Sequence, residues 1–156
     1  MKLKLIENWI LIFMKYKIKD NDIILRLENG DEIINSLKTL AQKENIDFAQ
    51  INGIGAVNQV EIGLYDFDKK KYRHKVLDGE YELTSLMGNI SLKDNEPFVH
   101  LHVTLSDYKY SCLGGHLFKA LITATCEIII RVINQQINRS KDDLTDLDLW
   151  DLDSCG

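Results

Sequence analysis

Residues Pro97 to Ser106 alternate apolar and polar side chains with a period of two, a pattern that commits the segment to a half-buried β-strand. Val99, Leu101, Val103 and Leu105 fall on one face; Phe98, His100, His102 and Thr104 fall on the other. Two imidazoles therefore project from the same side. At a rise of about 3.3 Å per residue their Cα atoms stand roughly 6.5–7 Å apart, from which both rings can reach one ion. Gly114 and Gly115 precede a third histidine, His116, and two residues without Cβ permit a sharp re-entry of the backbone that aims it at the strand. His100, His102 and His116 are the candidate ligands of a divalent metal, Zn²⁺ or a similar ion, with a fourth position open to water, a carboxylate or another ligand. The alternative is two half-buried strand histidines and a third that hydrogen-bonds a turn.

The remaining sequence supplies a sheet and one helix to support that strand. Asn29-Gly30-Asp31-Glu32 opens a helix over residues 31–44, where Ile33, Ile34, Leu37, Leu40 and Ala41 form one apolar stripe. This is the one strong amphipathic helix, and its stripe should lie on a sheet. Tyr16–Lys19 and Ile23–Leu27 read as short strands before it. Phe48–Ile54, Val57–Tyr65, Lys71–Leu77, Tyr81–Ser91, Phe98–Ser106 and Lys119–Ile133 read as strands after it. In the last of these, Ala120, Ile122, Ala124, Cys126, Ile128, Ile130 and Val132 share a face, and the β-branched cluster Ile128-Ile129-Ile130 favours strand over helix. The fold class is α+β: a mainly antiparallel β-sheet with one principal amphipathic helix packed on it, in a single domain.

A chain of 156 residues with 45% hydrophobic content is large enough to bury a core without disulfides. Its cysteines, Cys112, Cys126 and Cys155, are odd in number and lack CxxC spacing, so a reducing, cytoplasmic setting is expected. The apolar run Trp9–Met14 is too short to span a bilayer and has no cleavage site behind it, so no membrane partner is expected. Residues 1–13 read as an N-terminal appendage or a mis-assigned start, with translation expected from Met14. Residues 14–149 form the domain and 150–156 an acidic C-terminal tail. The alternation of acid and leucine from Asp142 onward reads as an edge strand reaching Leu149.

Weaker signals remain. Gly53-Ile54-Gly55 lacks the third glycine of a dinucleotide loop and reads as a bulge or a site of close packing. Glu82 and Glu127 stand in otherwise apolar strands; each is a candidate catalytic base or a partner orienting a ligand histidine, against the plain alternative of exposure on an open sheet face. Lys69, Lys70, Lys71 and Arg73 form the one basic cluster, with Tyr72 among them, and are the nucleic-acid candidates. The ordinary reading of such a run is a solvated hairpin. A net charge of −5 argues against nucleic acid held by overall electrostatics.

Together, Gly53-Ile54-Gly55-Ala56-Val57, Ile62-Gly63-Leu64-Tyr65-Asp66, Tyr81–Ile90, Pro97–Val103 and Gly114-Gly115-His116-Leu117 resemble the plant and prokaryote conserved (PPC) domain family, over about Met14 to Leu149. The resemblance implies a single α+β domain, a homotrimer, and a metal at the His100, His102 and His116 positions, as in prokaryotic relatives. Plant members pair the domain with AT-hook motifs that enter the DNA minor groove. This chain has no Arg-Gly-Arg-Pro core, so that arm is missing here.

Three functions follow from these readings. The first is a DNA-associated or regulatory homotrimer with a structural or ligand-sensing metal. The second is a metal-dependent enzyme or small-ligand binder, since three neutral imidazoles with an open position lower the pKa of a bound water. The third is a pure assembly domain whose trimer contact uses apolar strands such as Ile128–Ile133.

Overall fold

The computed structural model describes residues 14–153. Residues 1–13, expected to be an appendage or a mis-assigned start, lie outside the described residues, as does the end of the tail.

The chain forms β1 (Lys15–Lys19), β2 (Asp22–Glu28), α1 (Ile33–Glu44), β3 (Ala49–Asp66), β4 (Lys71–Leu77), β5 (Tyr81–Lys93), β6 (Glu96–Ser106), β7 (Cys112–Val132), β8 (Arg139–Lys141) and β9 (Asp148–Trp150). The expected α+β class with a mainly antiparallel sheet and one helix is what the structure shows among the described residues. Strands β1 to β7 make one antiparallel sheet in the order β1-β2-β7-β6-β5-β3-β4. Strand β7 pairs with β3 as well, so the circuit β3–β5–β6–β7 closes on itself.

The helix begins at Ile33, two residues later than the sequence pattern suggests, because Glu32 is its cap. The Glu32 carboxylate accepts from the backbone N–H of Ile34 and Asn35, and also from the N–H of Ala120 in β7. One side chain thus caps the helix and ties it to the sheet. At the other end Asn45 takes the left-handed conformation (φ 53°) that stops the helix. Ile33, Leu37, Leu40 and Ala41 are buried in one core with Leu101 and Leu105 of β6 and Ile122 and Ile128 of β7. Burying each such side chain contributes about 1.5–3 kcal/mol.

The structure corrects three boundaries. The strands expected at Phe48–Ile54 and Val57–Tyr65 are one strand, β3, whose register against β5 shifts between Gly53 and Gly55. Gly55 also lets β3 approach β7 closely: a Cβ there would lie 2.5 Å from the Thr125 carbonyl oxygen. The strand expected at Lys119–Ile133 begins earlier, at Cys112, so Gly114 and Gly115 are strand residues and not a turn. The acidic tail is not an edge of the main sheet; its last strand, β9, pairs with β8 in a separate two-stranded ribbon. Leucine alternation specified a strand but carried no information about its partner.

That ribbon lies against the outer face of the main sheet, opposite the helix. The Trp150 ring stands edge-on to Phe48, with centroids 5.4 Å apart, and the Ile137 carbonyl accepts from Leu92 N–H. On the same face Ile24 and Ile129 are direct cross-strand partners and both are exposed, as are Ile54 and Met87.

Gly88 of β5 faces β6 at the histidine strand, where a Cβ would lie 1.9 Å from the His100 carbonyl oxygen. Because that obstacle is backbone, Gly88→Ala is expected to destabilise the protein by about 3 kcal/mol, the upper end of overpacking costs. A urea unfolding midpoint shifted by less than 1 kcal/mol equivalent, roughly the scale of a tolerated swap, would contradict this.

Candidate metal centre

Two strands and a bulge bring the histidines together. On β6 the alternation buries Val99, Leu101, Val103 and Leu105 and turns Phe98, His100 and His102 outward. On β7 the buried positions run through Ala120, Ile122, Cys126, Ile128 and Ile130, all even-numbered. Continued unbroken, that parity would point His116 into the core. Instead the pairing with β3 steps from Glu61↔Lys119 to Ile62↔Leu117, leaving Phe118 as an extra residue on β7. This bulge reverses the parity, so Leu117 is buried and His116 faces outward.

Register does the rest. His102 and His116 are direct cross-strand partners, two positions from the Thr104↔Gly114 pair. A Cβ on Gly114 would lie 2.3 Å from the Val103 carbonyl oxygen, so glycine there lets β7 approach β6 closely. The sequence-level account of the glycines as a re-entrant turn is therefore replaced by close strand packing.

The three rings form a nearly equilateral cluster, with centroids 5.3 Å (His100–His102), 5.0 Å (His100–His116) and 5.5 Å (His102–His116) apart. One nitrogen from each lies within 4.8 Å of the others, so the cluster could hold a metal ion. Burial, reinforced by Arg139 and His102, pushes the pKa of His100 down to about 4. Burial, then His100, His102, His74 and Arg139, does the same to His116, also to about 4. Both rings are neutral at pH 7, the form that has a lone pair for a cation. His116 Nδ1 is buried and has no hydrogen-bond partner among the described residues. A buried polar atom left unpaired costs about 1–3 kcal/mol, and a cation would remove that cost. The donor set and the orphaned nitrogen both fit a divalent ion.

Residues the sequence did not single out complete the site. Arg139 of β8 reaches over the histidine face: its Nε donates to Ser91 Oγ (2.7 Å), its Nη1 to the Asp148 carbonyl (2.7 Å) and its Nη2 to Asn89 Oδ1 (3.0 Å). The same Nη2 stands 3.5 Å from His100 Nδ1, and the guanidinium lies 4.7 Å above the Phe98 ring. Arg139 thus clasps the ribbon to the sheet beside the cluster. Tyr72 of β4 packs on His116 with centroids 4.9 Å apart, and Phe118 packs on Tyr72 at 5.0 Å. These residues wall a recess of about 350 Å³ that opens beside His100 and His116. Tyr72 stood out only as a ring among basic residues. Nothing in the spacing around Arg139 marks it.

The other candidates lie apart from the cluster. Glu82 and Glu127 are exposed and together line a different recess, with Ile54, Thr84 and Thr125. The basic residues sit at the β3–β4 hairpin. Arg73 is paired with Asp66 (Nε to Oδ2, 2.7 Å), and Lys70 Nζ donates to the Asp143 carbonyl (3.1 Å). Lys70 and Lys71 lie at the rim of the histidine recess.

In the metal-free protein the lowered pKa values set a pH dependence. An unfolded chain protonates its histidines near 6.5, the folded chain only near 4, so the unfolded state binds more protons between these values. Stability is therefore expected to fall as pH drops from about 6.5 to about 4. Urea midpoints at several pH values check this; the slope should shrink in the His100→Gln/His116→Gln double variant.

A family profile described as the Plants and Prokaryotes Conserved (PCC) domain matches residues 14–134. Among solved structures, the chain is similar to a PPC protein from Pyrococcus horikoshii, with 36% identity, TM-score 0.79, and coverage of 88% of this chain and 94% of that one. It is similar to a metal-containing protein from Archaeoglobus fulgidus, with 35% identity, TM-score 0.77, and coverage of 88% and 96%. A candidate DNA-binding protein from Bacteroides thetaiotaomicron matches with 28% identity, TM-score 0.87, and coverage of 90% and 99%. Among curated proteins none matches the chain.

Proposed function

Because the chain belongs to the Plants and Prokaryotes Conserved domain family, we propose that it is a homotrimeric regulatory module whose His100, His102 and His116 hold one divalent cation, zinc. The observation that carries this reading is the convergence of three imidazoles, one nitrogen of each within 4.8 Å of the others, together with a buried His116 Nδ1 that has no partner among the described residues. The metal-containing relative from Archaeoglobus fulgidus supports it. Three neutral nitrogen ligands suit Zn²⁺ and leave a fourth position for a ligand from outside, which is the arrangement of a sensing or binding site. The exposed Ile24–Ile129 pair and nearby Ile54 and Met87 support self-assembly through the outer sheet face. Within the apolar run Ile128–Ile133, only Ile129 and Ile133 are exposed enough to serve such a contact; Ile128 and Ile130 are core. No helix among the described residues is long and apolar enough to cross a membrane, and Cys112 and Cys126 are free thiols, in keeping with a reducing, cytoplasmic setting.

Association with DNA is the second part of the reading, supported by the candidate DNA-binding relative and by the basic hairpin at Lys69, Lys70, Lys71 and Arg73. Pairing of Arg73 with Asp66, and the net charge of −5, restrict any such contact to the lysines at the turn.

Plasma mass spectrometry on protein purified without a histidine tag tests the cation. About one divalent ion per chain is expected, lost in His102→Ala; none in either form overturns the metal site. A gel shift at low salt tests the DNA part. A shift abolished by neutralising Lys69, Lys70, Lys71 and Arg73 supports it, and no shift removes it.

A further inference from the structure

We propose that the recess beside the histidines takes a small anion with a flat apolar body, an aromatic carboxylate in chemical class, its anionic end at the histidine cluster and its body against Tyr72, Phe98 and Phe118. This rests on the reading that the histidines hold a divalent cation.

The argument is a charge balance. Three neutral imidazoles bring no negative charge to a dication, and the group standing 3.5 Å from His100 Nδ1 is itself a cation, the Arg139 guanidinium. Two carboxylates line the recess, Asp146 and Asp148, and each is already taken: Asp146 by Lys141 at 2.9 Å, Asp148 by Lys93 at 2.6 Å. Lys71 adds a further positive charge at the rim. A half-buried dication in such surroundings is left without a counter-charge from the recess, and an uncompensated charge away from water is costly. An anion from outside supplies both the missing charge and the fourth ligand.

The walls decide what the anion is attached to. Tyr72 packs against His116 and Phe118 at centroid distances of 4.9 and 5.0 Å, and His116 and Phe118 stand 4.7 Å apart, so ring faces and edges flank the cluster. Phe98 closes another side beneath Arg139. A volume of about 350 Å³ is at the small end of ligand sites and suits a single-ring molecule. Aromatic walls favour a planar ring by offset or edge contacts over an aliphatic chain of equal size.

The experiment uses the full chain loaded with Co²⁺, whose visible bands report ligand exchange, titrated with benzoate, acetate and benzyl alcohol and followed by absorption and calorimetry. Cobalt per chain is measured first. Benzoate is expected to perturb the bands and to bind about tenfold more tightly than acetate, with no band change from benzyl alcohol. Tyr72→Leu and Phe98→Leu should each take up cobalt normally and lose about threefold or more of the benzoate-over-acetate preference. Cobalt bound with no response to either carboxylate overturns the ligand proposal alone. Equal binding of benzoate and acetate, or benzoate binding that is the same without cobalt, also overturns it. Failure to take up cobalt overturns the cation reading, and this proposal with it.

Discussion

The pairing of β6 with the N-terminal part of β7 is the contact on which the site depends. His102 and His116 are 14 positions apart in sequence and become direct neighbours only because the backbones run side by side from Ser106↔Cys112 to His102↔His116. Gly114 admits that approach from β7, and Gly88 admits the matching approach of β5 on the other side of β6. Both positions face carbonyl oxygens, groups that cannot move aside without breaking a ladder. The histidine strand is therefore held between two neighbours at spacings that any Cβ would disturb. The geometry of the cluster is a property of the sheet and not of a flexible loop.

Helix and ribbon divide the two faces of that sheet. The helix covers the inner face, where Leu37, Leu40 and Ala41 join Leu101 and Ile128 in the core, and this packing fixes which residues of β6 point outward. The ribbon of β8 and β9 reaches across the outer face. Its hold is polar: Arg139 spends its donors on Ser91, Asn89 and the Asp148 carbonyl, Lys93 pairs with Asp148, and the Tyr65 hydroxyl donates to the Thr145 carbonyl. By covering His100 and His116 the ribbon and its neighbours remove water from the rings. Loss of water is the main reason both rings stay unprotonated, and an unprotonated ring is what a cation needs.

The same arrangement sets an electrostatic contrast within one small protein. The chain as a whole is acidic, yet the recess beside the histidines is bordered by Arg139, Lys70 and Lys71, with its two carboxylates engaged elsewhere. Net charge governs solubility and long-range steering, whereas the local field at a half-buried site is set by the few groups within several ångströms. An acidic chain can thus present a site that favours anions.

Much of the fold was legible in order along the chain. Alternation at Val99, Leu101, Val103 and Leu105 set a strand with its two outward histidines, and the stripe from Ile33 to Ala41 set the helix, because side-chain period is a local property of the backbone. The family motifs named the three histidines together. What the sequence could not express was pairing and phase. The bulge at Phe118 that turns His116 outward, and the merging of two expected strands into β3, come from register against strands far away in the chain. The acid-leucine tail specified a strand without a partner. Arg139, which has no distinguishing neighbours in sequence, acquires its place only when the ribbon folds over Asn89, Ser91 and His100. Sequence by itself determined which elements form and which side chains share a face; tertiary structure decided which of those faces meet, because strand register and the closure of β3, β5, β6 and β7 arise from contacts between distant segments.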